Sequence, residues 1–233
     1  MQSNPSALAE SPSHQIARVR FSRQSVAEVY PSEYKDNRRQ RREKACILAC
    51  INRIPTGGQV LDLPCGTARM TKLLVERGYR VIGADISDAM LARAIENYAL
   101  YRKERNRNAP PVQFNVQDVL STTFTDDEFD GVCCIRLFHH FAEAHVRRYA
   151  LRELRRISRG PIVVSFLNSF ALDRVAYWMK ALFTRRSQLH QLPISFGTFA
   201  ADIAAAGLQI DKRIAAHWGI SSRWFLVLSR ATK

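Results

Sequence analysis

The 233-residue chain lacks any run of about 18 apolar residues, which argues against a membrane-spanning helix. Cysteine is scarce: the five residues are an odd number and include no Cys-x-x-Cys pair, so neither a disulfide framework nor a zinc ribbon is expected. Cys46 and Cys50 stand one helical turn apart, and Cys133 and Cys134 lie inside an apolar run. All but Cys65 read as small buried hydrophobes of a reducing, cytoplasmic protein. Glycine nowhere forms G-x-G-x-x-G, the spacing that brings a pyrophosphate onto a helix N-terminus, which points away from a dinucleotide. Acidic residues are outnumbered, 21 against 35 lysines and arginines, for a formal charge of +14. That balance leaves open a nucleic acid, an anionic membrane surface, an acidic substrate, or a surface of solvated arginines. No internal repeat is visible.

What is present is a sizeable hydrophobic fraction, 46%, enough to fill the core of one α/β domain. Residues 1–14 are rich in Ser, Pro and Ala, without the apolar centre of a secretory signal, and residues 1–29 together are expected to be a disordered or loosely ordered basic leader. A single domain is expected over residues 30–233. Asp36 or Asn37 is placed to cap a helix reaching about Arg53, basic in its first half and apolar in its second.

The chain is organised around residues 59–85. Val60, Leu61 and Leu63 suit a buried parallel strand. Pro64, Cys65, Gly66 and Thr67 break it; Gly66 permits a close backbone approach or a positive φ, and Thr67 is placed to cap the next helix. Leu73, Leu74 and Val75 give that helix a buried side. A second strand, residues 80–84, ends on Asp85, where a carboxylate can accept both hydroxyls of a ribose. One glycine in the turn suits a ligand with a ribose and a positively charged amino-acid end better than one with a diphosphate.

Asp-Leu-Pro-Cys-Gly-Thr-Ala-Arg (62–69) resembles the first motif of class I S-adenosylmethionine-dependent methyltransferases in its D-x-P-C-G-T-G variant, with Ala68 in place of the last glycine. The likeness extends over about residues 30–230. It implies a doubly wound, seven-stranded, mostly parallel sheet with an antiparallel last strand, a Rossmann-like methyltransferase fold. It implies S-adenosyl-L-methionine as cofactor, held by Asp62, Pro64, Cys65, Gly66 and Thr67 in the first turn. Asp85, Ile86 and Met90 follow the second strand, Ile86 against the adenine face. Gln117, Asp118 and Val119 follow the third, with Asp118 accepting from the adenine amino group. In similar enzymes the segment before the first strand lies over the cofactor, so Tyr34 is expected to meet it, along with Tyr30 and Arg38 or Arg39. Ala68 is expected to alter only how closely the helix approaches.

Further along, residues 112–116, 129–135 and 162–166 read as strands. Arg136, Leu137, Phe138, His139, His140 and Phe141 follow the fourth strand, at the carboxyl end where open α/β sheets bind ligands. Arg136 is expected at the cofactor. His139, with an imidazole in the right titration range, is the first candidate for a catalytic base. A helix over about residues 143–158 carries Arg147, Arg148, Arg152, Arg155 and Arg156, read as mostly a solvated face. Residues 170–186 form a basic amphipathic pattern, suited to an anionic membrane surface or to a lid, so a helical lid or insertion is expected at about 168–194. A helix starting at Ser195 or Thr198 and strands over 208–215 and 224–229 close the fold.

Methyl transfer from a sulfonium asks the protein for binding and alignment and, for some acceptors, a base. The expected activity is transfer to a small-molecule or a lipid- or glycan-linked acceptor, in the cytoplasm or peripheral to the inner membrane. An RNA methyltransferase is the alternative. The charge supports it, while the absence of an Asn-Pro-Pro-Tyr type motif after the fourth strand opposes it. A non-catalytic interaction protein retaining the fold is the other; Asp62, Gly66, Asp85 and Asp118 oppose that.

Overall fold

The computed structural model describes residues 11–30, 37–170, 192–217 and 221–232. Seven strands form one sheet: β1 (Gln59–Asp62), β2 (Arg80–Asp85), β3 (Gln113–Val116), β4 (Gly131–Cys134), β5 (Ile162–Leu167), β6 (Leu208–Ala215) and β7 (Arg223–Arg230). Their order is β3-β2-β1-β4-β5-β7-β6, with β7 antiparallel to both its neighbours and the other pairings parallel. The sheet is the expected one, and β1 sits where the strand order reverses.

The central strands are buried on both faces because their side chains alternate between two cores. Leu61, Val132, Cys134, Ile162 and Val164 face one core; Val60, Cys133, Val163 and Phe225 face the other. Three helices cover the second face: α3 (Arg38–Ile51), α4 (Arg69–Glu76) and α5 (Asp88–Glu104). Helix α3 is capped by the Asn37 side chain, which accepts from the Gln40 amide, and buries Ile47, Cys50 and Ile51. Helices α6 (Ala144–Ile157) and α7 (Phe196–Ala205) cover the first face. Ser195 caps α7, accepting from Thr198.

Residues 12–29, expected as part of a loose leader, instead form α1 (Pro12–Phe21) and α2 (Gln24–Val29). Proline at the start of α1 suits its first turn, where no amide partner is needed. The helix is fastened at both ends: Ser13 hydrogen-bonds Glu143, and the Phe21 carbonyl accepts from the Ser87 hydroxyl at 2.6 Å. Most of the expected lid falls on residues 171–191, outside the described residues. Its two ends meet, since Asn168 pairs with Ile194 and the Ser169 amide donates to the Ile194 carbonyl at 3.1 Å.

The arginines of α6 divide. Arg147, expected in solvent, is buried against Asp202 of α7 at 2.7 Å and also donates to the Phe141 and Ala142 carbonyls. The free-standing amphipathic pattern does not distinguish this position from Arg152, which is exposed.

The first turn departs from expectation in its cap. Thr67 does not cap α4; the cap residue is Ala68, in the left-handed region at φ 64° and ψ 21°, and no side chain closes the helix end. The methyl group at Ala68 therefore acts on backbone conformation rather than on helix approach. A non-glycine residue held there costs about 1–2 kcal/mol. Ala68→Gly is expected to be neutral or to stabilise the protein by up to about 1 kcal/mol, the relief of strain being partly offset by glycine's unfolded-state entropy. Urea unfolding measures it, and a destabilisation beyond about 1 kcal/mol, the ordinary result of Ala→Gly in a helix, would contradict the reading.

Candidate active site

The carboxyl ends of β1, β2, β3 and β4 open into a cleft of about 960 Å³, its solvent-facing mouth included. Pro64, Cys65, Gly66 and Thr67 form one wall, Ile86 and Met90 a second, Gln117, Asp118 and Val119 a third. Arg136, Leu137, His140 and Phe141 form the fourth, and His14, Ala17, Arg18 and Phe21 of α1 make the roof.

Asp85 lies at the floor. Its Oδ2 accepts from the Gly66 amide at 2.9 Å and its Oδ1 from the Ser87 amide at 3.0 Å. Burial pushes its carboxyl up to about 6, against the opposing pull of the Ser87, Gly66 and Ile86 amides. A carboxylate has about four acceptor positions, so the Gly66, Ser87 and Ile86 amides leave room for a ribose hydroxyl. Gly66 has φ 54°, and a side chain there would project toward the Tyr30 ring across the cleft.

Asp62 is not on the wall. It is fully buried behind the turn, where Oδ2 accepts from the Thr71 hydroxyl at 2.7 Å and Oδ1 has no partner among the described residues. Burial raises its pKa to about 7, partly countered by Thr71 and reinforced by Asp85. Gln117 reaches the wall with its side chain engaged, exchanging hydrogen bonds with Thr123. Asp118 accepts from the Leu120 amide at 2.9 Å and meets the His14 imidazole at 3.2 Å. Tyr34 lies outside the described residues.

Of the two histidines, His140 lines the cleft and packs edge-on to Phe21, with ring centroids 5.2 Å apart. His139 is 5% exposed, and its carbonyl accepts from Leu192. Burial, then His140, Arg223, Arg136 and Arg20, hold its pKa well below the usual histidine range. His139, the first candidate for a base, is thus not the ring on the cleft; a short 3-10 turn (Phe138–His140), which adjacency in sequence does not reveal, turns His140 there instead.

Arg136 does line the cleft, at φ 67°, but its guanidinium is committed to a residue that sequence reasoning missed. Glu43 of α3, 2% exposed, accepts from Arg136 at 2.8 Å and from Arg223 at 2.6 Å, with Arg69 at 3.7 Å. Burial alone would raise the Glu43 carboxyl; Arg223, Arg136 and Arg69 outweigh it and hold it below its ordinary 4.5. A glutamate among α3's basic residues carries no sequence signal for this, since its partners lie on three other segments. His14, Ala17, Arg18 and Phe21 were also missed, for the leader was read as loose.

Residues 60–160 match the family model described as Methyltransferase domain. A 2-phytyl-1,4-naphtoquinone methyltransferase of Thermosynechococcus vestitus is 34% identical over 82 residues, 34% of this chain and 33% of that protein. The aligned segment thus spans about a third of such a relative. Among solved structures, the magnesium protoporphyrin IX methyltransferase of Synechocystis PCC 6803 superposes with TM-score 0.72 at 15% identity, covering 93% of this chain and 99% of that one. The [4+2]-cyclase SpnF superposes at 0.67 with 13% identity, over 96% and 98% of the two chains. At such identities the likeness is one of fold.

Glu43→Gln should destabilise the protein by about 3–5 kcal/mol at pH 7, as removal of one partner from a buried ion cluster does. Because the folded-state pKa is depressed, this stabilisation is present above about pH 4.5, the unfolded value, and is lost as pH falls further. Unfolding curves of the two proteins should therefore converge in acid; a constant gap would contradict the assignment.

Proposed function

We propose that this chain, which carries a class I S-adenosylmethionine-dependent methyltransferase domain, methylates a small, largely apolar acceptor. The residues of the cleft fit the cofactor: Asp85 offers two buried acceptors for the ribose, Gly66 leaves room beside them, and Ile86, Met90 and Val119 offer an apolar slot for the base. When bound, S-adenosylmethionine supplies an electrophilic methyl group on sulfur. The protein's share is to hold the nucleoside, exclude water and align the acceptor.

One observation carries the choice of acceptor. The roof and fourth wall present Ala17, Phe21, Leu137 and Phe141, with His14, Arg18 and His140 among them and Arg136 tied to Glu43, a surface whose larger share is apolar and suited to a ring or chain. The naphtoquinone and protoporphyrin in the names of the similar proteins have this character. A lipid-linked acceptor presented at a membrane surface also fits the net charge of +14. His140, rather than His139, takes the place of the base, withdrawing a proton from an oxygen or nitrogen acceptor as it is methylated.

Asp85→Ala should weaken binding of S-adenosylhomocysteine by about 1.5–3 kcal/mol, the value of hydrogen bonds to a charged group. His140→Ala should leave that affinity unchanged and lower kcat by about 100-fold or more, as loss of a general base does. His139→Ala should mainly lower stability. Radiolabelled transfer to quinone, porphyrin and RNA acceptors provides the assay. Binding without transfer to any acceptor would favour a different chemistry on this fold, as in the cyclase, and transfer to RNA alone would revive the nucleic-acid reading.

A further inference from the structure

The roof helix has two sides. Ser13, His14, Ala17 and Phe21 turn inward, where α1 meets Glu143, Asp118 and His140. Ile16 and Val19 share the other side of the helix, one turn apart. They are 60% and 56% exposed, with Arg20 and the exposed Arg23 beside them in the chain. The inward contacts are to segments that follow β2, β3 and β4: Ser87, Asp118 and His140. The outer side of α1 therefore faces away from the carboxyl edge of the sheet.

The same edge carries a second basic element. Glu43 of α3 reaches Arg136, just past β4, and Arg223, which pairs with Leu167 at the end of β5. Arg38, Arg39, Arg41 and Arg42 precede Glu43, so the helix carries them up to about 7 Å further out at its usual rise per residue. All four are exposed, and the first turn of α3 holds no acidic residue. Positive charge at a helix N-terminus opposes the helix dipole, a cost that an anionic surface laid against it would relieve. Phe170, shortly past β5, is 79% exposed at this edge as well.

Charge and apolar exposure together name the occupant. Over residues 11–30 and 37–44 the carboxylates are Glu28 and the buried Glu43 alone, against Arg18, Arg20, Arg23 and the four arginines of α3. A phosphate backbone would engage the arginines and leave Ile16, Val19 and Phe170 in water. An anionic bilayer engages both, its headgroups the arginines and its upper acyl region the apolar side chains.

We propose that this face, the outer side of α1 with the start of α3, docks on an anionic lipid bilayer. The cleft opens under α1, so docking brings its mouth against the lipid. An apolar acceptor carried in the bilayer then reaches the cleft without crossing water. This route for the acceptor rests on the apolar-acceptor reading above; the docking itself does not.

The test is co-sedimentation of the full chain with vesicles of phosphatidylcholine, with and without phosphatidylglycerol. Wild-type protein should sediment with the mixed vesicles and stay in solution with the neutral ones. Ile16→Ser with Val19→Ser should weaken binding to the mixed vesicles about 10-fold. Arg23→Gln with Arg42→Gln should weaken it about 25-fold. Arg102→Gln with Arg107→Gln removes the same charge at and beyond the far end of α5, on the opposite edge of the sheet, and should leave binding near wild type. No binding to the mixed vesicles, equal losses for the two arginine pairs, or binding unchanged by the serine pair would each overturn the proposal. Poly(U) retained through Arg23 and Arg42 in place of the vesicles would give the face to RNA instead. Calorimetry with S-adenosylhomocysteine, without vesicles, keeps the two readings apart: the serine pair should bind it as wild type does. Failure of wild-type protein to bind it would remove the functional reading and leave the docking result standing.

Discussion

The cleft depends on one carboxylate. Asp85 accepts an amide hydrogen from Gly66 and another from Ser87, and so fixes the turn after β1 against the start of α5. Neither bond brings in a compensating cation, so the folded protein carries this charge at a cost, seen in a pKa raised to about 6. For a carboxyl raised above its unfolded value, the folded state holds more protons between about pH 4 and 6, and stability falls as pH rises through that window. Asp62, raised to about 7 behind the same turn, adds a second charge of the same kind. Of the two, Asp85 is the one on the cleft, where ligand hydroxyls can reach it.

The surrounding walls use the opposite device. Glu43 gathers Arg136, Arg223 and Arg69, and Asp202 gathers Arg147 and Arg148. The first cluster sets the loop after β4 against α3 and β7; the second, through the bonds of Arg147 to the Phe141 and Ala142 carbonyls, sets the end of that loop. The acceptor wall is therefore held by buried ions at both ends while the cofactor floor is left hungry for partners. Much of the charge on the chain remains on solvated surfaces, but these arginines are structural.

The sheet was legible in sequence because its signals are local: apolar runs of strand length, a turn after the first, and an acidic residue after the second. Of the cofactor residues expected in the described chain, all but Asp62 and Arg38 or Arg39 lie on the cleft. Asp62 was misplaced because spacing along a strand does not separate a residue on the wall from one just behind it. The roof was misread because α1 has little apolar character of its own and is kept by Ser13, His14 and the Phe21 carbonyl, contacts that span about a hundred residues. Glu43 and Arg147 were invisible for the same reason, since long-range ion pairs leave no periodicity. His139 and His140 needed a backbone turn to tell them apart.

The central claim is that the ionised Asp85 carboxylate holds the ribose of S-adenosylmethionine. Calorimetric titration with S-adenosylhomocysteine from pH 5 to pH 8, on wild-type protein and Asp85→Asn, tests it most directly. Affinity of the wild type should be level at high pH and weaken as pH falls through about 6, roughly tenfold by pH 5, while the variant binds weakly with that dependence removed. Equal affinity of the two proteins across the range would contradict the account.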